Sequence, residues 1–562
     1  MNKLINSALY RGTSLHGLLR RKKALLATTS PCLIIFISLF IAFLPVILSD
    51  NYLRQDDLMW ELWPHMKMSD FGVIYYNAVY QLVRPISMLS LYITDMLSMD
   101  IHHAVYIRLF NIVMLGLLGI FLYRWQLLFN SNRLVAAVFA ITAFTLQPYL
   151  IFISTGNYTL IINALLLTFI AMFFWHRSYQ SGRLSRYYYA LGCIFFFMSL
   201  LEYPLSSMYA WALLTIYYLN HLMPNQRHHI SHQFTFFISR TVIGLMISYY
   251  IFSRLFQKIL HVNMHTHRAT VIDTSHIASH FMHIFDILIY HSQLWLWAIY
   301  PSSTTPLILL TAVFVFALYK MKPLNPIYFM VTTIAVVFLF FFLSYSPILA
   351  SSEFGSTPFR YALITMPILL YVFCWSMQTI LTAYTSRFFA TFRIIFFSSL
   401  TLFAISYSNL MLADNIVGPH DQDFTAIQTQ LREQVLPLLA QHKRVLIHAI
   451  DCANGSEETP VHLEYDMRIC QFQQQVISVI IHSLNKFGIA SNDNNHNDIL
   501  WNNKEIVVRN TPWGTLVAHS GESSNNDLNP YLDKNMVVVT VDTRLLAKYQ
   551  KYGFYKKMLQ KQ

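Results

Sequence analysis

The sequence predicts a polytopic α-helical membrane protein with about eleven transmembrane helices and a small C-terminal α/β domain. Of its 562 residues, 55% are hydrophobic and only 12% are charged, and the mean hydropathy is +0.43. Apolar runs, most of them near the ~20 residues needed to cross a hydrocarbon core, follow one another over the first two thirds of the chain. This composition excludes a soluble protein, with or without a single membrane anchor.

The formal net charge of +12 would suggest a nucleic-acid partner in a soluble domain. Here the basic residues cluster in short loops between apolar runs, so they indicate membrane orientation and no nucleic acid. Residues 1–23 form a basic tail. The run Ala24–Leu48 is too long for the apolar part of a signal peptide. We therefore predict a cytoplasmic tail followed by a retained first span.

Successive apolar runs predict the remaining spans of a transmembrane domain at residues 24–413. They lie near Ala104–Tyr123, Leu134–Ile153, Tyr158–Trp175, Tyr187–Leu201, Leu205–Met223, Phe234–Phe252, Thr304–Tyr319, Ile327–Leu349, Tyr361–Tyr384 and Ile394–Leu412. With a cytoplasmic N-terminus, every alternate loop is basic and contains no Asp or Glu, as the positive-inside rule requires. The opposite side then receives the loops 49–103, 253–303 and 350–360 and all of residues 414–562.

Two of these outer segments have a membrane-associated character. Ile86–Leu97 is apolar but too short to span, and Leu294–Pro301 is rich in aromatic residues. Both are candidates for interfacial helices lying flat on the membrane. Ordinary loop packing is the alternative interpretation, especially for the second segment.

Residues 414–562 are predicted to form a soluble α/β domain on the outer side. Apolar residues recur at helical spacing between Phe424 and Leu438. Strand-like runs follow at Val445–Ile450, Ile506–Val508 and Met536–Val541. Cys452 and Cys470 both lie in this domain, where an oxidising compartment would favour a disulfide between them.

Two adjacent carboxylates, Asp56 and Asp57, follow directly on the first span. Charges at that depth either mark the polar end of a span or serve catalysis and ion handling. In a helix the two side chains point about 100° apart, so one is a candidate general base while the other orients the substrate hydroxyl or binds a metal. Asp57 would share a helical face with Glu61 and Arg54.

The metal requirement is left open by the sequence. If a divalent cation such as Mg²⁺ or Mn²⁺ takes part, Asp56 or Asp57 is the candidate ligand. Seven histidines crowd the second outer loop, but they lack the HExxH pattern of a zinc helix, so we do not predict a zinc site there. These are His261, His265, His267, His276, His280, His283 and His291.

Two outer arginines are candidates for binding a phosphate. Arg84 lies in Val83-Arg84-Pro85, and Arg360 lies in Pro358-Phe359-Arg360. The planar guanidinium matches phosphate oxygens, although headgroup anchoring explains many outer basic residues. Glu202 lies between two apolar runs, where a carboxylate is costly unless it is paired or hydrated. We predict that it contacts an acceptor sugar or pairs with an outer arginine.

An aspartate pair in the first outer loop of a many-span protein with an outer soluble domain resembles the GT-C glycosyltransferase superfamily, and within it the serotype-converting O-antigen glucosyltransferases. The likeness is carried by Asp56-Asp57-Leu58, Arg84-Pro85, Leu201-Glu202-Tyr203 and the passage from Tyr407 to Asp423. The sequence departs from that family's pattern in having Met59-Trp60, and no basic residue, after Asp-Asp-Leu.

The resemblance implies a GT-C-like fold in the bacterial inner membrane, with the C-terminal domain in the periplasm. It implies inverting transfer of a hexose, such as glucose, from a polyprenyl-phosphate donor to a lipid-linked or surface polysaccharide such as O-antigen. Asp57 and Asp56 would be catalytic, Arg84 and Arg360 would bind the donor phosphate, and Glu202, Tyr203, Glu61 and Arg54 would bind substrate. A flippase and a donor synthase would be partners.

Two other functions use a similar membrane body. An O-antigen polymerase or ligase would have a strongly basic main outer loop, whereas residues 253–303 are only mildly basic. A transporter of polysaccharide or lipid would need broken helices, repeated halves or mid-membrane acids. The apolar runs contain almost none of these acids.

Overall fold

The fold is given by a computed structural model that describes part of the chain. The described residues are 30–49, 84–87, 90, 104–129, 131–146, 148–150, 159–180, 184–222, 228–259, 284–285, 287–289, 291–296, 304–321, 323, 325–346, 358–441, 443–451, 479–480, 483–484, 499–502, 506–511, 514–520 and 536–542.

Helices dominate the described residues. In chain order they are α1 (Ser30–Ala42), α2 (Leu44–Leu48), α3 (Ala104–Leu127), α4 (Arg133–Phe144), α5 (Thr159–Gln180), α6 (Ser185–Glu202), α7 (Pro204–Ser207), α8 (Tyr209–His221), α9 (His228–Ile259), α10 (Thr305–Lys320), α11 (Pro326–Ser344), α12 (Pro358–Thr382), α13 (Arg387–Met411), α14 (Gly418–Gln430) and α15 (Leu436–Ala440).

The chain is a helical membrane protein. Six of its described helices (α3, α5, α9, α11, α12 and α13) are long and apolar enough to cross a membrane. Each of the other predicted apolar runs also coincides with a helix, but α1, α4 and α10 are shorter apolar helices, and α6 and α8 are not among the six. The total of eleven spans therefore stays a prediction, as does the orientation.

Helices α5 and α6 form a tightly packed antiparallel pair. A Cβ on Gly192 in α6 would lie 2.5 Å from the indole of Trp175 in α5, and Trp175 is fully buried. A chain of buried hydroxyl groups crosses the same interface: Ser199 Oγ lies 2.8 Å from Thr168 Oγ1 and 2.7 Å from Ser207 Oγ. Small residues and hydroxyl contacts are the means by which helices approach closely in a membrane.

The last long helix packs against the first. Asn409 Nδ2 in α13 donates a hydrogen bond to the backbone oxygen of Ile41 in α1 at 3.0 Å. One residue earlier, Ser408 Oγ donates to the backbone oxygen of Thr145, just after α4, at 2.9 Å. These contacts join helices that lie far apart in the sequence, so they fix where the first span ends.

Two π-helical turns interrupt the helical stretch that leaves the membrane body. Leu412–Val417 separates α13 from α14, and Leu431–Val435 separates α14 from α15. Gly418 follows the first turn, and a Cβ there would lie 2.5 Å from the backbone oxygen of Ala413. Any other residue at position 418 would therefore collide with the wider helical turn.

A five-stranded sheet follows. Its strands are β1 (Arg444–Asp451), β2 (Ile499–Asn502), β3 (Ile506–Thr511), β4 (Gly514–Ser520) and β5 (Met536–Asp542). The spatial order is β2-β3-β4-β1-β5, with β1 parallel to both β4 and β5 and an antiparallel meander from β2 to β4. The three predicted strands are confirmed as parts of β1, β3 and β5, whereas β2 and β4 were not predicted. The boundaries and outer location of a separate domain stay predictions.

The aromatic segment after Gln293 packs inside the protein in its described part. Leu294–Leu296 form a single 3₁₀ turn, and Leu294 adopts a positive φ of 53°, which is uncommon for a residue other than glycine. Trp295 is buried, and its ring lies edge-on to Phe403 of α13 with the centroids 5.7 Å apart. For Trp295, loop packing is the interpretation that fits. The segment Ile86–Leu97 is described only at Ile86, Ser87 and Ser90.

We expect Gly192→Ala to lower the thermal stability of the protein. The added methyl group would overlap the buried Trp175 ring, and overpacking of a core typically costs about 1–3 kcal/mol. Gly244→Ala in α9 is the matched control, because no atom of the described residues lies within 4 Å of its Cβ position. The apparent Tm in detergent should fall for the first variant and not for the second. Equal shifts would show that α5 and α6 do not depend on this close approach.

Candidate functional site

The structure brings three of the predicted site residues together. Arg84, Glu202 and Tyr203 meet at the junction between α6 and α7. Arg360 lies in the first turn of α12, and only its backbone position is described. The other predicted site residues lie outside the described residues, as does the predicted disulfide. They are Arg54, Asp56, Asp57, Glu61, Cys452 and Cys470.

A break in the helix puts Glu202 at this junction. Glu202 is the last residue of α6, and Tyr203 adopts an extended conformation with φ −152° and ψ 96°. Pro204 explains the break, because a residue that precedes proline is driven out of the helical region. Glu202 thus stays at a helix end, where its side chain can meet residues from other elements.

Glu202 is buried, with 1% of its surface exposed, and it is hydrogen-bonded. Ser90 Oγ donates a short hydrogen bond to Glu202 Oε1. Asn163 Nδ2 of α5 in turn donates to Ser90 Oγ at 2.6 Å. A buried carboxylate requires partners of this kind, because it would otherwise lose its hydration without compensation. The chain Asn163–Ser90–Glu202 therefore links α5, the 84–90 segment and α6.

Arg84 is held by stacking on an aromatic ring. Its guanidinium carbon lies 4.8 Å from the centroid of the Tyr203 ring, within the range of a cation–π contact. Ser87 closes the turn that follows: its Oγ donates to the backbone oxygen of Arg84 at 2.7 Å. Arg84 Nε is buried and has no hydrogen-bond partner among the residues that the structure describes. This N–H group therefore has no acceptor among the described residues.

The electrostatics of the site centre on the carboxyl of Glu202. Burial raises the pKa of Glu202 from 4.5 to about 7, against the opposing effects of the Ser90 hydrogen bond and of the Arg84 charge. The charge of Arg84 also acts on Tyr249, a half-buried residue of α9. Glu202 lies outside the six candidate spans, and its protonation state is balanced close to neutral pH.

Sequence reasoning missed a second polar group beside this site. Thr159 Oγ1 donates to Asn111 Oδ1 at 3.0 Å, which ties the start of α5 to α3. Thr159 lies one turn before Asn163 on α5, so the two pairs share one helical face. Arg108, one turn before Asn111, is only 2% exposed. Neutral polar residues such as Asn111 and Thr159 are not recognisable as site residues from the sequence. Arg108 could have been identified, because a charged residue inside an apolar run is a functional candidate.

A third polar cluster joins the second outer loop to α11 and α12. His291 Nδ1 lies 2.9 Å from the hydroxyl oxygen of Tyr345 and 2.6 Å from Thr365 Oγ1. The Tyr345 hydroxyl donates to Thr365 Oγ1 at 3.2 Å, and all three residues are fully buried. His291 therefore has a role in packing this loop against the helices. Among the described residues, no group of three or more His, Cys, Asp or Glu side chains could hold a metal ion.

The residue that follows α2 is hydrogen-bonded to α14. Ser49 Oγ donates to Asp421 Oδ1 of α14 at 2.7 Å. Asp423, two residues further on, is fully buried. Ser49 directly precedes Asp50, so this hydrogen bond fixes the point at which the segment with Asp56 and Asp57 begins.

No model of a known protein family matches the chain, and no curated protein matches it in sequence. The chemistry of the residues around Glu202 and the resemblance of short motifs are therefore what indicate a function.

We expect the stability of the protein to fall as the pH rises from about 4.5 to about 7. In the unfolded chain Glu202 ionises near pH 4.5, but in the fold it ionises near pH 7. The folded state thus holds the additional proton in this window, and its advantage is complete below pH 4.5 and lost as Glu202 ionises. At about 1.36 kcal/mol per pKa unit, the loss is ~3 kcal/mol.

Apparent Tm values in detergent between about pH 5 and 8 would measure this loss. Glu202→Gln should remove most of the decline, because glutamine does not titrate. Glu433→Gln is the control, since Glu433 is exposed and far from this junction in sequence. An unchanged pH profile in Glu202→Gln would contradict the assignment.

Proposed function

We propose that the protein is an integral membrane glycosyltransferase that moves a hexose from a polyprenyl-phosphate donor to a lipid-linked or surface polysaccharide. The observation that carries the proposal is the stacked guanidinium of Arg84, held beside a buried, hydrogen-bonded carboxylate at the end of a membrane helix. The proposed setting is the outer face of a bacterial inner membrane, as the basic loops and the motif resemblance suggest.

The chemistry of Arg84 suits a phosphate. Stacking on Tyr203 orients the guanidinium plane without using its N–H groups, and the buried Nε has no partner among the described residues. Arginine binds phosphate oxygens through parallel N–H groups, and each such hydrogen bond is strengthened by charge. When a sugar leaves its phosphate, negative charge grows on the phosphate oxygens, and a preorganised cation stabilises that charge.

The groups around Arg84 suit a sugar. An aromatic ring, an amide and a carboxyl converge at Tyr203, Asn163 and Glu202, with Ser90 connecting the last two. Hydroxyl groups of a sugar can donate to the carboxyl and accept from the second N–H of the Asn163 amide, and the face of the Tyr203 ring opposite Arg84 is apolar. The same set would serve a hexose carried by the phosphate that Arg84 binds.

The proposed catalytic segment lies between two points that are fixed. Residues 50–83 connect Ser49, which is hydrogen-bonded to Asp421, to Arg84, which is stacked on Tyr203. We propose that Asp57 or Asp56 removes the proton from an acceptor hydroxyl. The oxygen then bonds to the anomeric carbon, and the bond from that carbon to the phosphate oxygen breaks, so the configuration inverts. The departing lipid phosphate keeps the electron pair, and Arg84 takes up its charge.

One observation argues against a proton-coupled transporter. Within the six candidate spans the only carboxylate is Asp414, the last residue of its span. Transporters that couple ions or protons use acidic groups near the middle of the membrane. A glycosyltransferase with a lipid-linked donor needs its charged groups at the membrane edge, which is where α6 ends at Glu202 under the predicted topology.

We expect the double variant Asp56→Asn, Asp57→Asn to lose hexose transfer by ~10²–10⁴-fold while its level in the membrane stays normal. Asparagine keeps the size of aspartate but cannot accept the proton. Asp95→Asn is the control from the same predicted outer loop. Transfer would be measured with membranes, a radiolabelled polyprenyl-phosphate hexose and a purified polysaccharide acceptor. Full transfer by the double variant would show that the mechanism is wrong.

We expect Arg84→Ala to raise the KM for the lipid donor and to lower kcat, because the cation contributes both to binding and to the departing phosphate. Arg84→Lys should restore part of the binding, since lysine keeps the charge but not the planar pair of N–H groups. The KM for the acceptor should change little in both variants. An effect on the KM for the acceptor alone would show that Arg84 does not bind the donor phosphate.

A further inference from the structure

We propose that Glu202 and Arg84 form a proton-linked anion site, in which a phosphodiester binds to Arg84 while Glu202 is neutral and dissociates when Glu202 ionises. The inference rests on the proposed function, because it assigns the phosphodiester as the donor lipid or its mimic. Where Glu202 is ionised in the unbound protein, each binding event would transfer one proton from solution to its carboxylate. The negative charge of the phosphodiester then replaces the negative charge of Glu202.

Glu202 and a bound anion would compete for one cation, Arg84. The Arg84 charge acts on Glu202 directly, yet the guanidinium is positioned by the Tyr203 ring and not by the carboxyl. An anion that accepts hydrogen bonds from Arg84 would therefore lie close to Glu202. Two neighbouring negative charges in a poorly hydrated site repel each other strongly, so one of them must be neutralised.

Glu202 can be protonated without a rearrangement of the residues around it. Ser90 bridges Glu202 and Asn163, and its hydroxyl can rotate. When Glu202 is ionised, Ser90 donates to it; when Glu202 is protonated, the carboxyl can donate to Ser90 instead. The carboxyl of Glu202 thus keeps a hydrogen bond to Ser90 in both protonation states. Since the pKa of Glu202 is about 7, either state is accessible near neutral pH.

Other charged groups near Glu202 could also make binding depend on pH. Among the described residues, Arg84 is the charged group that acts on Glu202 and on Tyr249. Arg108 of α3 is a second buried charged residue, beside the neighbouring pair of Asn111 and Thr159. Helices α5 and α7 contribute neutral side chains here, including Asn163 and Ser206. Arg254 and Lys258 of α9 are exposed. A pH effect on binding between about 6 and 8.5 would therefore come from Glu202, whose pKa is about 7.

Binding of two phosphodiester probes to the purified full-length protein tests the proposal. The probes are a short-chain isoprenyl phosphohexose and dihexanoyl phosphatidylglycerol, both of which keep a single negative charge between about pH 5 and 9. We expect the affinity of the isoprenyl probe to fall by at least ~10-fold between about pH 6 and 8.5. Calorimetry in two buffers of different ionisation enthalpy should show an uptake approaching one proton near pH 8.

Variants separate this coupling from a purely structural role. Glu202→Gln should bind the probe with an affinity that no longer depends on pH, and Glu433→Gln should behave as the wild type. Ser90→Ala removes a hydrogen bond that stabilises the ionised carboxyl, so the midpoint of the pH dependence should move to higher pH. This second variant keeps the test valid if Glu202→Gln does not fold. Arg84→Ala should weaken binding at every pH.

Each outcome has a distinct meaning. A wild-type affinity independent of pH, or an unchanged slope in Glu202→Gln, overturns the proposal. Equal, pH-linked binding of phosphatidylglycerol would identify a general lipid-headgroup site and overturn the assignment to the donor. Hexose transfer without coupled proton uptake would leave the proposed function intact and remove this inference alone. If the protein binds the isoprenyl probe with coupled proton uptake but transfers no hexose, the proton-linked site stands and the proposed function is wrong.

Discussion

The hydrogen bond from Ser90 to Glu202 is the interaction on which the described site depends. A carboxylate at a helix end in a membrane protein is costly to bury, and its partners decide whether the cost can be met. Ser90 belongs to the 84–90 segment, Asn163 to α5, and Glu202 to α6. One buried carboxyl therefore determines how three elements meet, and Arg84 reaches its place on Tyr203 as part of the same arrangement.

The membrane body supplies the rigid frame for this meeting point. Gly192 of α6 packs directly against the Trp175 ring of α5. This close contact defines the axis of α6 and the position of its last residue. On the other side, α13 holds α1 through Asn409 and the end of α4 through Ser408. The first span thus reaches Ser49 in a fixed orientation, where Asp421 receives it.

Much of this architecture could be predicted from hydropathy, because a membrane helix must be apolar along its length. The sequence predicted that Glu202 contacts an acceptor sugar or pairs with an outer arginine, and in the structure the charge of Arg84 acts on Glu202. It could not predict Ser90 or Asn163, since neutral polar residues in apolar segments are common and only three-dimensional contacts give them a role. Strand β2 has four residues and β4 contains small polar ones, so neither produced a clear pattern.

The π-helical turn at Leu412–Val417 has a consequence for the rotation of α14 about its axis. Such a turn is equivalent to one residue inserted into an α-helix, and each residue of a helix turns it by about 100°. A version of the chain without the additional residue would present a different face of α14 to the first span, with Asp421 turned away from Ser49. The glycine at position 418, which leaves room for the carbonyl of Ala413, would then have no steric purpose. The π-helical turn therefore sets which face of α14 meets Ser49.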